Sequence, residues 1–173
     1  VSQFPPGHRV RAANNVADLY FAGGTTTDIL IDSGSEGGLK NPALLKAMAS
    51  VQDGLEEMEL VGDSFSLADL VARMHAVMNG LPNGSREMPA NSELVAQYPL
   101  LYSMPGSPGD FDDLLDYDYR YARLRTFLRD PATTAVRQVL HRSNELVSLP
   151  LADLPTASAF AACGAQFTTT LAK

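Results

Sequence analysis

The chain has 173 residues, an apolar share of 45%, a charged share of 19% and a formal net charge of −7. That length and apolar content support one domain with a substantial core and exclude a disordered chain. The acidic balance, with no dense Lys/Arg cluster and no Trp, argues against a nucleic-acid-binding face and against docking onto anionic lipid headgroups.

In chain order, Phe4-Pro5-Pro6-Gly7-His8 reads as a rigid, extended entry. Asn14 to Tyr20 suits a short helix with Val16, Leu19 and Tyr20 on one side, ended by Gly23-Gly24. A strand follows from Thr26, in which Ile29 and Ile31 alternate with Asp28, Leu30 and Asp32, so one face belongs in a core. Asn41 is a helix N-cap with Pro42 at the first helical position. Leu44, Leu45, Met48, Val51, Leu55 and Met58 then form an apolar stripe. A second strand spans about Glu59 to Phe65.

Ser66-Leu67-Ala68-Asp69 is a capping box, and the helix it opens carries Leu67, Leu70, Val71, Met74, Val77 and Met78 before Gly80 and Pro82 stop it. After a polar loop, a helix from about Asn91 to Met104 presents Leu94, Val95, Tyr98, Leu101 and Tyr102, with a kink expected at Pro99. Gly106-Ser107-Pro108-Gly109 ends it, and Phe111 to Leu115 suits one more turn. A long strand from about Tyr119 to Leu128 sets Ala122, Leu124 and Leu128 on one face and Arg123 and Arg125 on the other. A helix from Pro131 to Leu149 and a strand over Ala159 to Cys163 complete the series.

The order is therefore strand, helix, strand, an interruption, then strand, helix, strand. This predicts an α+β fold: a split βαβ, ferredoxin-like sandwich carrying an inserted helical subdomain. The expected divisions are an N-terminal entry segment over 1–25, the sandwich over 26–65 and 118–167, the insertion over 66–117, and an exit segment over 168–173.

Catalytic and metal motifs are weak. Gly62-Asp63-Ser64 after a strand resembles the nucleophile block of GDSL-type esterases. Such a serine needs a histidine, usually supplied by an Asp-x-x-His pair. His8, His75 and His141 are preceded three positions earlier by Pro5, Ala72 and Gln138, so a strand-end turn before a capped helix is the better reading. Asp110, Asp112, Asp113, Asp116 and Asp118 lack the mid-loop Gly and terminal Glu of an EF-hand and read as a solvated loop with capping aspartates. Gly23-Gly24-Thr25 lacks the Gly-Lys-Ser/Thr ending of a phosphate loop. Scattered histidines and the lone Cys163 favour neither a metal site nor a disulfide, and Cys163 reads as a small strand residue. No cofactor and no enzymatic activity are expected.

The insertion holds the main candidate site. Met74, Met78, Tyr98, Tyr102 and Met104 lie on or beside two short helices. Plain core packing accounts for such residues; the sharper reading is a lipid-accommodating groove, because Met adapts its shape and Tyr adds a polar tip for a hydroxyl.

The run Asp18-Leu19-Tyr20-Phe21-Ala22-Gly23-Gly24-Thr25-Thr26-Thr27 resembles the Phe-Gly-Gly-Thr entry to the large extracytoplasmic loop of RND-superfamily exporters. The branch is that of the MMPL-like lipid transporters and the hopanoid and bacterial sterol exporters. Gly54 to Ser66, Ser66-Leu67-Ala68-Asp69, Glu93 to Ser103, Asp116 to Arg123 and Ala161 to Ala165 resemble later family segments in the same order. Ala22 at the glycine junction and Cys163 for a polar residue are departures.

The resemblance covers nearly the whole chain. It implies a porter-type domain between the first and second membrane helices of a proton-driven exporter, on the periplasmic side of a bacterial inner membrane. A start at Val1 and a stop within Phe167 to Leu171 fit a piece of something larger. The implied partners are a hydrophobic lipid such as a sterol or hopanoid, the membrane helices of the same parent chain, a periplasmic carrier protein and further copies of the parent, with no nucleic acid. Leu70, Met74, Met78, Tyr98, Leu101 and Tyr102 are the expected lipid-lining residues. The competing readings are a ferredoxin-like interaction module that docks another protein through Asp112, Asp113 or Asp116, and a hydrolase acting through Ser64.

Overall fold

Four antiparallel pairings join five strands in the order β2-β3-β1-β4-β5. The computed structural model describes residues 5, 7–103, 113–130, 132–148, 158–163 and 166–172. Its elements are α1 (Arg9–Tyr20), β1 (Thr25–Asp32), α2 (Pro42–Glu56), β2 (Val61–Phe65), α3 (Leu67–Asn79), α4 (Ser92–Ser103), β3 (Tyr121–Leu128), α5 (Thr133–Ser148), β4 (Ser158–Cys163) and β5 (Gln166–Ala172). The fold is α+β. Each helix-linked strand pair, β1 with β2 and β3 with β4, is separated by one strand from the other pair.

Strand periodicity decides which face is buried. Thr27, Ile29 and Ile31 of β1 and Ala122, Leu124, Thr126 and Leu128 of β3 point into the core, as the period-two pattern requires. Asn41 caps α2 by accepting from the Ala43 N–H, and Pro42 occupies its first turn. The stripe Leu44, Leu45, Met48, Val51 and Leu55 is buried, with Met58 packed at its margin. Gly54 lies where α5 approaches α2: a Cβ there would sit 2.6 Å from Leu146 Cδ2. The glycine lets the helices approach closely.

Three findings extend the sequence reading. First, α1 begins at Arg9, not Asn14, because His8 closes its first turn through its carbonyl and through Nδ1, which accepts from the Val10 N–H. Second, residues 166–172 form β5 on the outer edge of β4, where the sequence reading ends the sandwich at 167 and has an exit segment from 168. The run Phe167 to Leu171 is apolar and Thr-rich, a composition suited to a strand. Third, the described part of the insertion shares the core of the sheet. Leu67, Ala68, Val71, Ala72, Met88, Val95 and Tyr98 join the same apolar cluster as the sheet and α2. Helix α4 runs from Ser92 through Pro99 to Ser103.

Opposite the helices, the sheet carries ion pairs. Asp28 and Arg125 stand across from each other in register, with the Arg125 Nε–H donating to Asp28 Oδ1 at 2.9 Å. Arg123 reaches Asp113 at 2.8 Å, and Arg120 holds Asp32 through two bonds at 2.9 and 3.0 Å. Arg120 and the Gly34 N–H hold the Asp32 carboxyl below its ordinary value of 3.8, against an opposing effect of burial. The bond to Asp28 raises the pKa of Arg125.

Candidate functional site

Helix α3 starts at the predicted capping box. The Ser66 hydroxyl accepts from the Ala68 N–H at 3.0 Å, and Asp69 Oδ2 accepts from the Ser66 N–H at 2.9 Å. Gly80, in the left-handed conformation, ends the helix. The Asn91 side chain starts α4 by accepting from the Leu94 N–H at 2.8 Å.

The six expected lining residues part company in this frame. Tyr98 is buried at 3% exposure, and its hydroxyl lies 2.9 Å from His75 Nδ1, which in turn lies 3.2 Å from Asn79 Nδ2. Its polar tip is therefore already engaged, and Tyr98 belongs to the core. Leu70 and Met74 are half-buried against the same cluster. Met78 and Leu101 are 63% and 44% exposed. The side chain of Tyr102 and the whole of Met104 lie outside the described residues. Of the five whose side chains are described, none lines the cavities described below. The physical reason is that Val71 and Ala72 of α3 and Val95 and Tyr98 of α4 are buried in the same core cluster as the sheet and α2, so that part of each apolar stripe is already covered.

Beneath the start of α3 lies a polar network that the sequence reading missed. Gln52 of α2 is fully buried. Its Nε2 donates to Ser64 Oγ at 3.0 Å and to Asp69 Oδ2 at 2.6 Å, while its Oε1 accepts from Ser66 Oγ at 2.5 Å. Ser64 Oγ in turn donates to Glu56 Oε1 at 2.6 Å. Arg86, from the loop after α3, pairs with Asp53 and approaches Glu56 at 3.5 Å and Asp69 at 3.6 Å. One signal was available in the sequence: Gln52 stands four residues after Met48 on the buried stripe. Arg86 sits in a polar loop and gave none.

This network also accounts for Gly62-Asp63-Ser64. Ser64 is 6% exposed and its hydroxyl proton goes to Glu56. His75 is engaged with Tyr98 and Asn79, and His141 lies beside Glu145. Gly62 is required by packing, because a Cβ there would meet the Ala22 carbonyl oxygen at 1.8 Å. The acidic loop is likewise structural where it is described: Asp116 Oδ1 accepts from the Arg120 and Tyr121 N–H groups. Asp110 and Asp112 lie outside the described residues, as does the side chain of Cys163. Among the described residues, no group of three or more His, Cys, Asp or Glu side chains is placed to hold a metal ion.

Cavities border these elements. A cleft of about 790 Å³ with a mixed polar and apolar lining opens where the 33–41 turn meets the start of α4, bordered among others by Lys40, Asn41, Leu44, Ser92, Glu93 and Ala96. A cleft of about 430 Å³ lies between α3 and the following loop, with Ala72, Arg73, Ala76, Val77 and Arg86 in its walls. A smaller one of about 220 Å³ adjoins Leu30, Leu115, Tyr121 and Arg123. Neither a protein-family model nor a curated protein sequence matches the chain. No helix of the described residues is long and apolar enough to cross a membrane.

Proposed function

We propose that this chain is the extracytoplasmic substrate-handling domain of a proton-driven RND-superfamily lipid exporter, built on a ferredoxin-like split βαβ core. The observation that carries the reading is the strand order β2-β3-β1-β4, with a helix inside each pair and α3 and α4 inserted between the halves. That is the strand order a split βαβ sandwich would have. Together with the family-like segments in matching order, it supports a porter-type domain on the periplasmic side of the inner membrane.

In this reading the lipid is a sterol or hopanoid, and the contact surface is the outward side of α3 and α4. Met78 and Leu101 are exposed there, with Leu70 and Met74 at the margin of the core. Apolar burial contributes about 25 cal/mol per Å² of surface removed from water, so a small patch gives only weak affinity by itself. A patch of this kind suits transient contact during transfer better than long-term storage. The parent chain's membrane helices would supply the proton coupling, and a periplasmic carrier or a second copy of the parent would complete the path.

The test is equilibrium binding of sterol, hopanoid and phospholipid to the isolated chain. Saturable binding that Met78→Arg weakens supports the reading; no saturable binding to any of them removes lipid handling from it. The interaction-module reading draws on Asp113, which is 85% exposed although paired with Arg123. Charge reversal there, with Asp116 left alone because it holds the β3 turn, would abolish capture of a protein partner and leave lipid binding intact.

A further inference from the structure

The stretch 81–87 crosses from the end of α3 towards α2 with both its ends fixed. At one end the Leu81 N–H donates to the Ala76 carbonyl at 2.8 Å behind the Gly80 cap. At the other, Met88 is buried in the core cluster. Between them, Pro82, Asn83, Gly84, Arg86 and Glu87 are exposed. The internal bonds of the stretch are a turn, Ser85 N–H to the Pro82 carbonyl, and Glu87 N–H to Ser85 Oγ at 3.4 Å. Gly84 has a positive φ and open space around it. Among the described residues, the polar ties from this stretch to the helices are the Leu81 bond at its base and the Arg86 ion pairs at its middle.

We infer that residues 81–87 form a flap over the 430 Å³ cleft beside α3, and that Arg86 is its latch. One guanidinium gathers three carboxylates from two helices: Asp53 and Glu56 of α2, and Asp69 of α3. These partners are partly solvated, with side-chain exposures of 60%, 30% and 23%, so salt screens them. Beneath the flap Ala72 and Ala76 are buried. Releasing Arg86 frees the middle of the flap while Leu81 and Met88 keep its ends in place. The buried Gln52 network stays closed, because Asp69 uses its other oxygen for Gln52 and Ser66. Opening is thus local and leaves the core intact.

The latch can be read by thiol labelling of Ala76→Cys in a Cys163→Ser background. Labelling should be slow at low salt and about tenfold faster at about 1 M salt or with Arg86→Gln, and the Arg86→Gln protein should no longer respond to salt. Arg86→Lys should fall between, since a point charge cannot span three carboxylates as a planar fork does. Equal labelling with and without Arg86, or a salt response that survives Arg86→Gln, would overturn the inference. Should the new cysteine prevent folding, hydrogen exchange at the Ser85 amide in the otherwise native chain makes the same comparison, with the Leu81 amide at the fixed base and the β1 and β3 amides as the unchanged reference.

Discussion

At the scale of single residues, the least replaceable positions are those where backbone meets backbone. A Cβ on Gly62 would fall on the Ala22 carbonyl, and one on Gly23 would fall 2.1 Å from the Leu128 carbonyl oxygen. Neither obstacle is a flexible side chain. Gly62→Ala should therefore cost about 3 kcal/mol or more of unfolding free energy, by denaturant titration. Gly84→Ala, strained by its φ of +85 but surrounded by open space, should cost only about 1 kcal/mol.

Ser66 serves two groups at once: it caps α3 and donates to buried Gln52. Ser66→Ala should cost about 2–4 kcal/mol, the sum of a lost cap and an unpaired buried acceptor. Ser66→Thr should retain much of this. Asp32 makes a pH prediction. Its carboxyl is held below the usual value by Arg120, so the folded state binds its proton less readily than the unfolded chain. The pair's contribution is present above the ordinary Asp value of 3.8 and is lost as pH falls through the lowered folded value. In Asp32→Asn this part of the acid-side slope should vanish from a stability–pH series.

At the scale of elements, what was legible in the sequence was whatever local chemistry encodes. Asn41-Pro42 and Ser66 to Asp69 fixed two helix starts to the residue, because caps are short-range devices. Alternation fixed the buried faces of β1 and β3. The start of α1 was missed because His8, outside any apolar period, is what closes its first turn. β5 was missed because a terminal strand is recognised by its partner, and the β4 pairing is not written in residues 166–172 alone. The candidate site was less legible than the fold. A helical stripe on α3 or α4 looks the same whether it faces a ligand or α2, and here Tyr98 and Val95 face the core. Tyr98→Phe should cost about 1 kcal/mol through loss of the His75 bond, with no change in helix content by circular dichroism.

At the scale of the whole molecule, one continuous core runs from the sheet through α2 into the inserted helices. The insertion and the sandwich should therefore unfold together, giving a single transition by both fluorescence and circular dichroism. If α3 and α4 move during lipid transfer, they move against α2 and not as a detached subdomain. Among the described residues, the outer surface of these helices and the flap after α3 are open to a ligand, while the opposite face of β1 and β3 carries ion pairs. The central claim is that this outer surface takes up a hydrophobic lipid. The chain's 6 methionines offer a direct reading when their methyl groups carry an isotope label, because Met78 is exposed, Met74 is half-buried and Met48 is only 1% exposed. On titration with a sterol or hopanoid, the methyl resonances of Met78 and Met74 should shift saturably while that of Met48 stays in place. Methionine resonances that do not move, or that move equally at Met48 and Met78, would contradict the account.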